Sequence, residues 1–350
     1  MERKKPREYG LWMGELPPGR QNDICDVPGV LIGNVTIIRG EGALVPGKGP
    51  VRTGVTAIRP HPGNMYQNPC RAGISVFNGY GKSMGVPYLL ETGILNSPIL
   101  LTNTLSVNAA AEGLLTHLLN ENPEIGNDAR TPNLVVFECD DSYLNDIRGR
   151  HVKPADAILA LGRANNESVP QGNVGAGTGM SLFQLKGGIG SSSRILRLRN
   201  KNYVLGILAL ANYGLLKDLL INGVPVGLLL SHVEEKYCPG SLILVGITNA
   251  PLTRWQLTKL AERSFLGMAR TGGISRTGSG EFCLMVSTQG TANEDIVSDF
   301  EMDDFYQAAI EASAESIWNA LFLAQTMEGR DNRIRYALPI KEVLGLLNKV

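Results

Sequence analysis

The sequence predicts an α+β layered sandwich, and three observations carry that expectation. Apolar runs rich in β-branched residues arrive in groups. Helical stretches fall between some of those groups rather than after every strand. No repeat, low-complexity tract or long linker divides the 350 residues, so 1–350 reads as a single domain, although the length alone permits one or two. A hydrophobic content of 43% supplies a sizeable core, and 41 glycines supply many tight turns.

Taken in order, strands are expected at 29–38 (GVLIGNVTII), 54–60, 133–139 (NLVVFEC), 203–212 (YVLGILALAN), 226–231 (VGLLLS), 241–248 (SLILVGIT) and 282–288. A helix follows Ser106 through Leu119. A second opens near Pro251 and carries Leu257, Leu260, Ala261, Phe265 and Met268 at helical spacing until Gly272-Gly273 stops it. A third begins near Asp303-Asp304, whose charges suit the positive end of a helix dipole, and runs toward Thr326.

Composition excludes several classes. Basic and acidic residues balance at 33 each with no basic block, so neither nucleic acid nor an anionic membrane is an expected partner. The opening MERKKPREYGLWMGE lacks the apolar stretch of a signal peptide, and no run approaches the roughly 18 apolar residues of a membrane span. Five cysteines are scattered and never in CxxC spacing, which argues against a disulfide framework and fits a reducing, cytoplasmic setting. The four histidines never fall at ligand spacing, and there is no HExxH, so no metal or cofactor is expected.

The sharpest chemical signal is Gly240-Ser241 at the mouth of the 241–248 run. A serine opening a buried strand after Pro239-Gly240 can attack the carbonyl before it. If that bond breaks, Ser241 becomes an N-terminus holding both a nucleophile and an amine base. The same residues also make an ordinary turn into a strand. Ser279 and Glu281 enter the next apolar strand, and residues two apart in extended chain share a side, so both can serve one site; a turn serine and a solvated charge is the plainer alternative. ECDDSYLNDI (138–147) crowds Glu138 and Tyr143 among turn-forming Asp and Asn: a carboxylate here could hold a substrate ammonium, and a tyrosine could donate to an oxyanion. Asn212 ends a strand as a possible amide donor. The glycine clusters NVGAGTGM (173–180) and GGIGSSS (187–193) match no nucleotide motif and suit a close-packed wall.

Together these segments resemble the L-aminopeptidase/D-amidase-esterase family (DmpA-type), which includes β-peptidyl aminopeptidases. The matching pieces run in order: ICDVPGVLIGNVT, TGVTAIRPH, NGYGKSMGVPYLLETGILNSPILLTNTLSVN, VVFECDDSYLND, GNVGAGTGM, LALANYG, PGSLILVGITNAPL and RTGSGEF. The resemblance implies an αββα sandwich of the kind shared with ornithine acetyltransferases. It implies self-cleavage into an α chain (1–240) and a β chain (241–350), and assembly as a tetramer of cleaved heterodimers acting on small peptides or aminoacyl amides. By that resemblance Ser241 is the nucleophile and Gly240 precedes the cut; Ser279 and Glu281 handle protons, Asn212 and Tyr143 serve the oxyanion, and Glu138 is the candidate for the substrate amine. One departure is Asn108, where the family has glycine after Ser-Val. Two alternatives stand beside this reading: an acyltransferase of the ornithine acetyltransferase type, and an uncleaved binding protein on the same scaffold.

Overall fold

Eight consecutive buried residues from Ser241 to Thr248 need neighbours on both faces and both edges, and the fold supplies them. The computed structural model describes residues 2–230, 240–289 and 296–348. Its first sheet joins β1 (Leu31–Arg39), β2 (Val51–Arg59), β5 (Ile99–Asn103) and β6 (Val135–Cys139) in that order. The second runs β4 (Ile94–Leu95), β3 (Cys70–Gly79), β12 (Gly280–Ser287), β11 (Ser241–Thr248), β10 (Lys201–Asn212) and β9 (Gly188–Leu198). β11 is parallel to β12 and antiparallel to β10, which puts it in the middle of the wider sheet.

Between the sheets lie Ile58, Ile99, Leu101 and Phe137 from one and Leu208, Ile243, Val245 and Leu284 from the other. Helices α2 (Val107–Glu121) and α3 (Pro154–Gly162) cover the outside of the first sheet through Leu114, Leu118 and Leu161 against Val35, Val55 and Leu100. Helices α5 (Arg254–Arg270) and α6 (Asp303–Leu323) cover the second, setting Leu257, Leu260, Phe265 and Ile317 against Leu242, Leu244 and Met285. The layers are therefore helix, sheet, sheet, helix, as the resemblance implies.

Local chemistry sets the helix ends. α5 starts at Thr253 rather than Pro251: the Thr253 hydroxyl accepts from Gln256 N–H at 3.1 Å while the Gln256 carboxamide accepts from Thr253 N–H at 2.9 Å, a reciprocal cap. Asp303 and Asp304 do occupy the first turn of α6. The run at 226–231 is not a strand. Val226–Leu229 forms a single helical turn, α4, after Pro225, and Gly227 packs so closely on the Leu216 carbonyl that no side chain would fit. A short apolar run does not separate a buried turn from a strand. Ser231, His232, Cys238 and Pro239 lie outside the described residues. The sequence reading also missed β3, β5 and β9; β9 contains the Gly-Ser cluster read as a wall, buried along most of its length. No helix among the described residues is long and apolar enough to cross a membrane.

One polar cluster is structural. Arg194 on β9 is fully buried and meets Glu311 at 2.9 Å and Glu315 at 2.8 Å, both on α6. Glu311 also accepts from Glu15 N–H, Leu16 N–H and Gln307; Glu315 accepts from Arg7 and Asn22. Burial pushes both carboxyls up, but these hydrogen bonds and the arginine charges outweigh it and hold them below the ordinary range. The cluster straps the N-terminal segment across the helix.

Candidate active site

β11 begins at Ser241, and its two neighbours fix what surrounds that residue. Asn212, the last residue of β10, pairs directly with Ser241, so both side chains leave the same face of the sheet. Alternation along β11 sends Ser241 to the inter-sheet side with Ile243 and Val245. On the other edge Ser241 pairs with Gly280, whose N–H donates to Ser241 Oγ at 3.3 Å. The hydroxyl in turn donates to the carbonyl oxygen of Gly240 at 2.7 Å. A side chain at 240 would lie 2.7 Å from the Asn212 carbonyl and 2.8 Å from Tyr213 Cα, so only glycine fits before this serine.

Ser279 and Glu281 flank Gly280 but serve the opposite face. Alternation along β12 places Glu281 with Cys283 and Met285 on the α5/α6 side. Both line a cavity of about 20 Å³, room for one water, together with Gly240, Tyr213, Ser275 and Arg276. Ser275 donates to Glu281 Oε2 at 2.6 Å. Ser279 Oγ and Glu281 Oε1 are buried close enough to interact, yet neither makes a well-formed hydrogen bond among the described residues. Burial raises the Glu281 pKa above the ordinary value, with Ser275 and Ser279 pulling the other way. The sequence thus brings Ser279 and Glu281 together as expected. It does not disclose that their cavity abuts the Gly240–Ser241 peptide while the Ser241 hydroxyl projects to the other side.

Asn212 is held at both ends of its amide: Oδ1 accepts from Ser181 N–H at 2.7 Å and Nδ2 donates to the Asp140 carbonyl at 2.8 Å. One N–H of Nδ2 remains for another acceptor. Tyr143 is half-buried, and the Arg335 guanidinium lies 3.5 Å from its ring centroid. Arg335 Nε donates to Ser181 Oγ at 3.0 Å, so Ser181 connects both candidate oxyanion donors. Glu138 is 2% exposed and accepts from Lys82 N–H at 2.7 Å and from the Thr104 hydroxyl. It lies close to Ser241's neighbourhood through Gly81, whose backbone abuts Gly280. Asn108 lines a surface groove of about 750 Å³ beside Lys82, Thr104 and Arg150.

Sequence reasoning missed Ser275, Ser181, Arg335 and Lys186. Only Lys186 left a signal: it is the single charge between Asn173 and Ser193. Its ammonium is fully buried among backbone carbonyls.

An αββα sandwich with a serine at the start of a central strand, beside an asparagine amide and a buried serine–carboxylate pair, defines a hydrolase of the N-terminal-nucleophile type. The chain belongs to peptidase family S58, whose model matches residues 22–335. It is 35% identical over 364 residues to the β-peptidyl aminopeptidase BapA of Sphingosinicella microcystinivorans, covering 95% of this chain and 89% of that one. Among solved structures it is similar to a β-aminopeptidase of Burkholderia sp., at 36% identity, 99% coverage of both chains and a TM-score of 0.90. It is also similar to the L-aminopeptidase D-Ala-esterase/amidase of Ochrobactrum anthropi, described as a prototype serine aminopeptidase and a variant of the Ntn-hydrolase fold. That match has 31% identity, covers 99% and 98% of the two chains, and has a TM-score of 0.90. The protein is accordingly an aminopeptidase, and the acyltransferase alternative is not favoured.

Proposed function

We propose that the chain cuts its own Gly240–Ser241 bond and then uses Ser241 to release N-terminal residues from short peptides, amides or esters. The observation that carries this reading is the 2.7 Å bond from Ser241 Oγ to the carbonyl it would attack. Oγ adds to the Gly240 carbonyl carbon, and the peptide nitrogen leaves as the Ser241 amine, taking the hydroxyl's proton. Water then hydrolyses the resulting ester. The products are 1–240 and 241–350.

In the mature enzyme the Ser241 amine has a reference pKa of roughly 7.7–8.0, suited to a general base near neutral pH. It draws the proton from its own Oγ, which attacks the first peptide bond and forms an acyl-enzyme. The amine is born beside the cavity that Ser279 and Glu281 line, so those two groups handle the amine's proton. The free N–H of Asn212 stabilises the oxyanion, with Tyr143, linked to it through Arg335 and Ser181, as the second donor. Glu138 is the candidate for the substrate's ammonium, since each of its oxygens can accept a second hydrogen bond. The relatives' names point to β-linked, L- and D-residues as the substrate range. We further propose a cytoplasmic tetramer of cleaved heterodimers, the compartment supported by buried free thiols at Cys25, Cys70, Cys139 and Cys283.

N-terminal sequencing of the smaller fragment tests the scheme. It should begin Ser241-Leu242-Ile243, and a panel of aminoacyl amides with α- and β-residues should be hydrolysed by the same preparation. An intact chain that retains activity would refute the proposal.

A further inference from the structure

We infer that Lys186 is a positioning residue for the reaction, locking a strained hairpin whose Ser181 N–H aims the Asn212 amide at the nucleophile. This inference rests on the reading of Asn212 given above. The hairpin comprises β7 (Ser181–Leu182) and β8 (Leu185–Lys186), laid over the end of β10. Its two central residues, Phe183 (φ 50°) and Gln184 (φ 62°), both occupy the left-handed region, which a tight hairpin turn normally fills with Asn or Gly. Such a turn persists only where its surroundings over-determine it.

The surroundings do so from three sides. The Phe183 ring packs edge-on against Tyr213 at 5.2 Å, and Gln184 accepts from Leu216 N–H at 2.9 Å. From within, Lys186 Nζ donates to the carbonyls of Met180 (2.8 Å), Gly187 (2.7 Å) and Gly177 (3.1 Å). Three carbonyl acceptors require three N–H donors, so the bound form is the ammonium. Burial pulls the lysine pKa down to about 7, with the Asp141 charge opposing. Asp141 is itself fully buried and pushed up to about 7 by burial, hydrogen bonds from Thr53 and Asn145 pulling the other way.

The output of the hairpin is specific. Two bonds leave it for the site: Ser181 N–H to Asn212 Oδ1, and Ser181 Oγ from Arg335, which stacks on Tyr143. An asparagine amide that loses the donor on its oxygen is held by the Asp140 carbonyl alone and can tilt about that bond, so that its free N–H no longer faces the oxyanion. A misplacement near 1 Å costs up to about 10²-fold in rate. A lysine that only stabilised the fold would not act through Asn212.

The test is a double-mutant cycle between Lys186→Met and Asn212→Ala, read as kcat and KM. Lys186→Met leaves the Asp141 carboxyl without its counter-charge, so the cycle is repeated with Lys186→Met made together with Asp141→Asn, which removes both charges. In the native background Lys186→Met should lower kcat about 10- to 100-fold with KM within about twofold. In the Asn212→Ala background it should lower kcat less than about threefold, because the residue it acts through is gone. Where processing stalls, the same cycle is read on the rate of self-cleavage. Equal factors in both backgrounds, or a loss confined to KM, overturn the inference while leaving the proposed function intact. If Asn212→Ala alone costs nothing, the reading of Asn212 fails and this inference fails with it.

Discussion

The wider sheet carries two buried polar clusters, and they are built to opposite standards. At β9, Arg194, Glu311 and Glu315 are enclosed by donors and acceptors until both carboxyls fall below their ordinary pKa. Around Ser241, Ser279 Oγ and Glu281 Oε1 are just as buried yet make no well-formed hydrogen bond among the described residues, and the Glu281 carboxyl is raised. A buried group without its bond costs about 1–3 kcal/mol. Under the proposed scheme, the polar capacity left short beside Ser241 is taken up by atoms that arrive later: a new amine, a water or a substrate.

The sharpest way to break this contrast is Ser241→Ala. Gel analysis and activity assays should show one uncut, inactive chain, and normal processing in that variant would remove Ser241 from its role. Next in size, Glu315→Ala should lower unfolding free energy by about 3–5 kcal/mol in denaturant titration, because Arg194 is left buried with less compensation. Specific activity of the folded fraction should not change; a catalytic defect there would erase the distinction between the clusters. Asn212→Ala should lose about 10²–10³ in kcat and also about 1–3 kcal/mol of stability, because the Ser181 N–H and the Asp140 carbonyl lose their buried partner.

The subtlest effect is a pH dependence at Glu281. Its folded pKa is raised by burial, so the folded state binds the extra proton between the ordinary and the raised value. Stability is therefore greatest below the ordinary carboxylate pKa and falls as pH rises through the raised one. Glu281→Gln should melt above wild type at pH 8, with the gap closing on acidification, and the acidic limb expected in the wild-type kcat/KM profile should be lost in the variant. Parallel melting curves at every pH would mean that the carboxyl is solvated and belongs with the architectural groups.

Much of this was legible in residue order because it depends on backbone alternation. Ser241 opens a strand, and Ser279 and Glu281 sit two apart at the mouth of another; both features survive folding unchanged. The layered α+β class followed from the grouping of apolar runs, and the αββα order from the resemblance. What was hidden depends on contacts between distant segments. β9 begins as Gly-Ile-Gly-Ser-Ser-Ser, a composition that advertises loop, and becomes strand because β10 and α6 bury it. The 226–231 run misled because apolar residues are wanted by a buried turn as much as by a strand. Ser275 reaches Glu281 from a loop, with φ at 50°, and nothing in ISRTGSG announces that conformation. Lys186 could have been flagged by its isolation among uncharged residues, but the carbonyls it gathers are invisible to composition.

The position of the proposed cut has a lasting effect on the molecule's history. Strand β11, which starts at the scissile bond, lies between β10 of one product and β12 of its own, while β12 in turn is zipped to β3. In the wider sheet the two products are thus interleaved like the teeth of a closed fastener, and neither owns that sheet whole. Once severed, a thermally unravelled enzyme would have to find its other half by collision, in a register first set when both were one chain. Heat inactivation of processed material should then be a one-way event whose recovery depends on concentration, whereas the Ser241→Ala precursor should come back on cooling at any dilution.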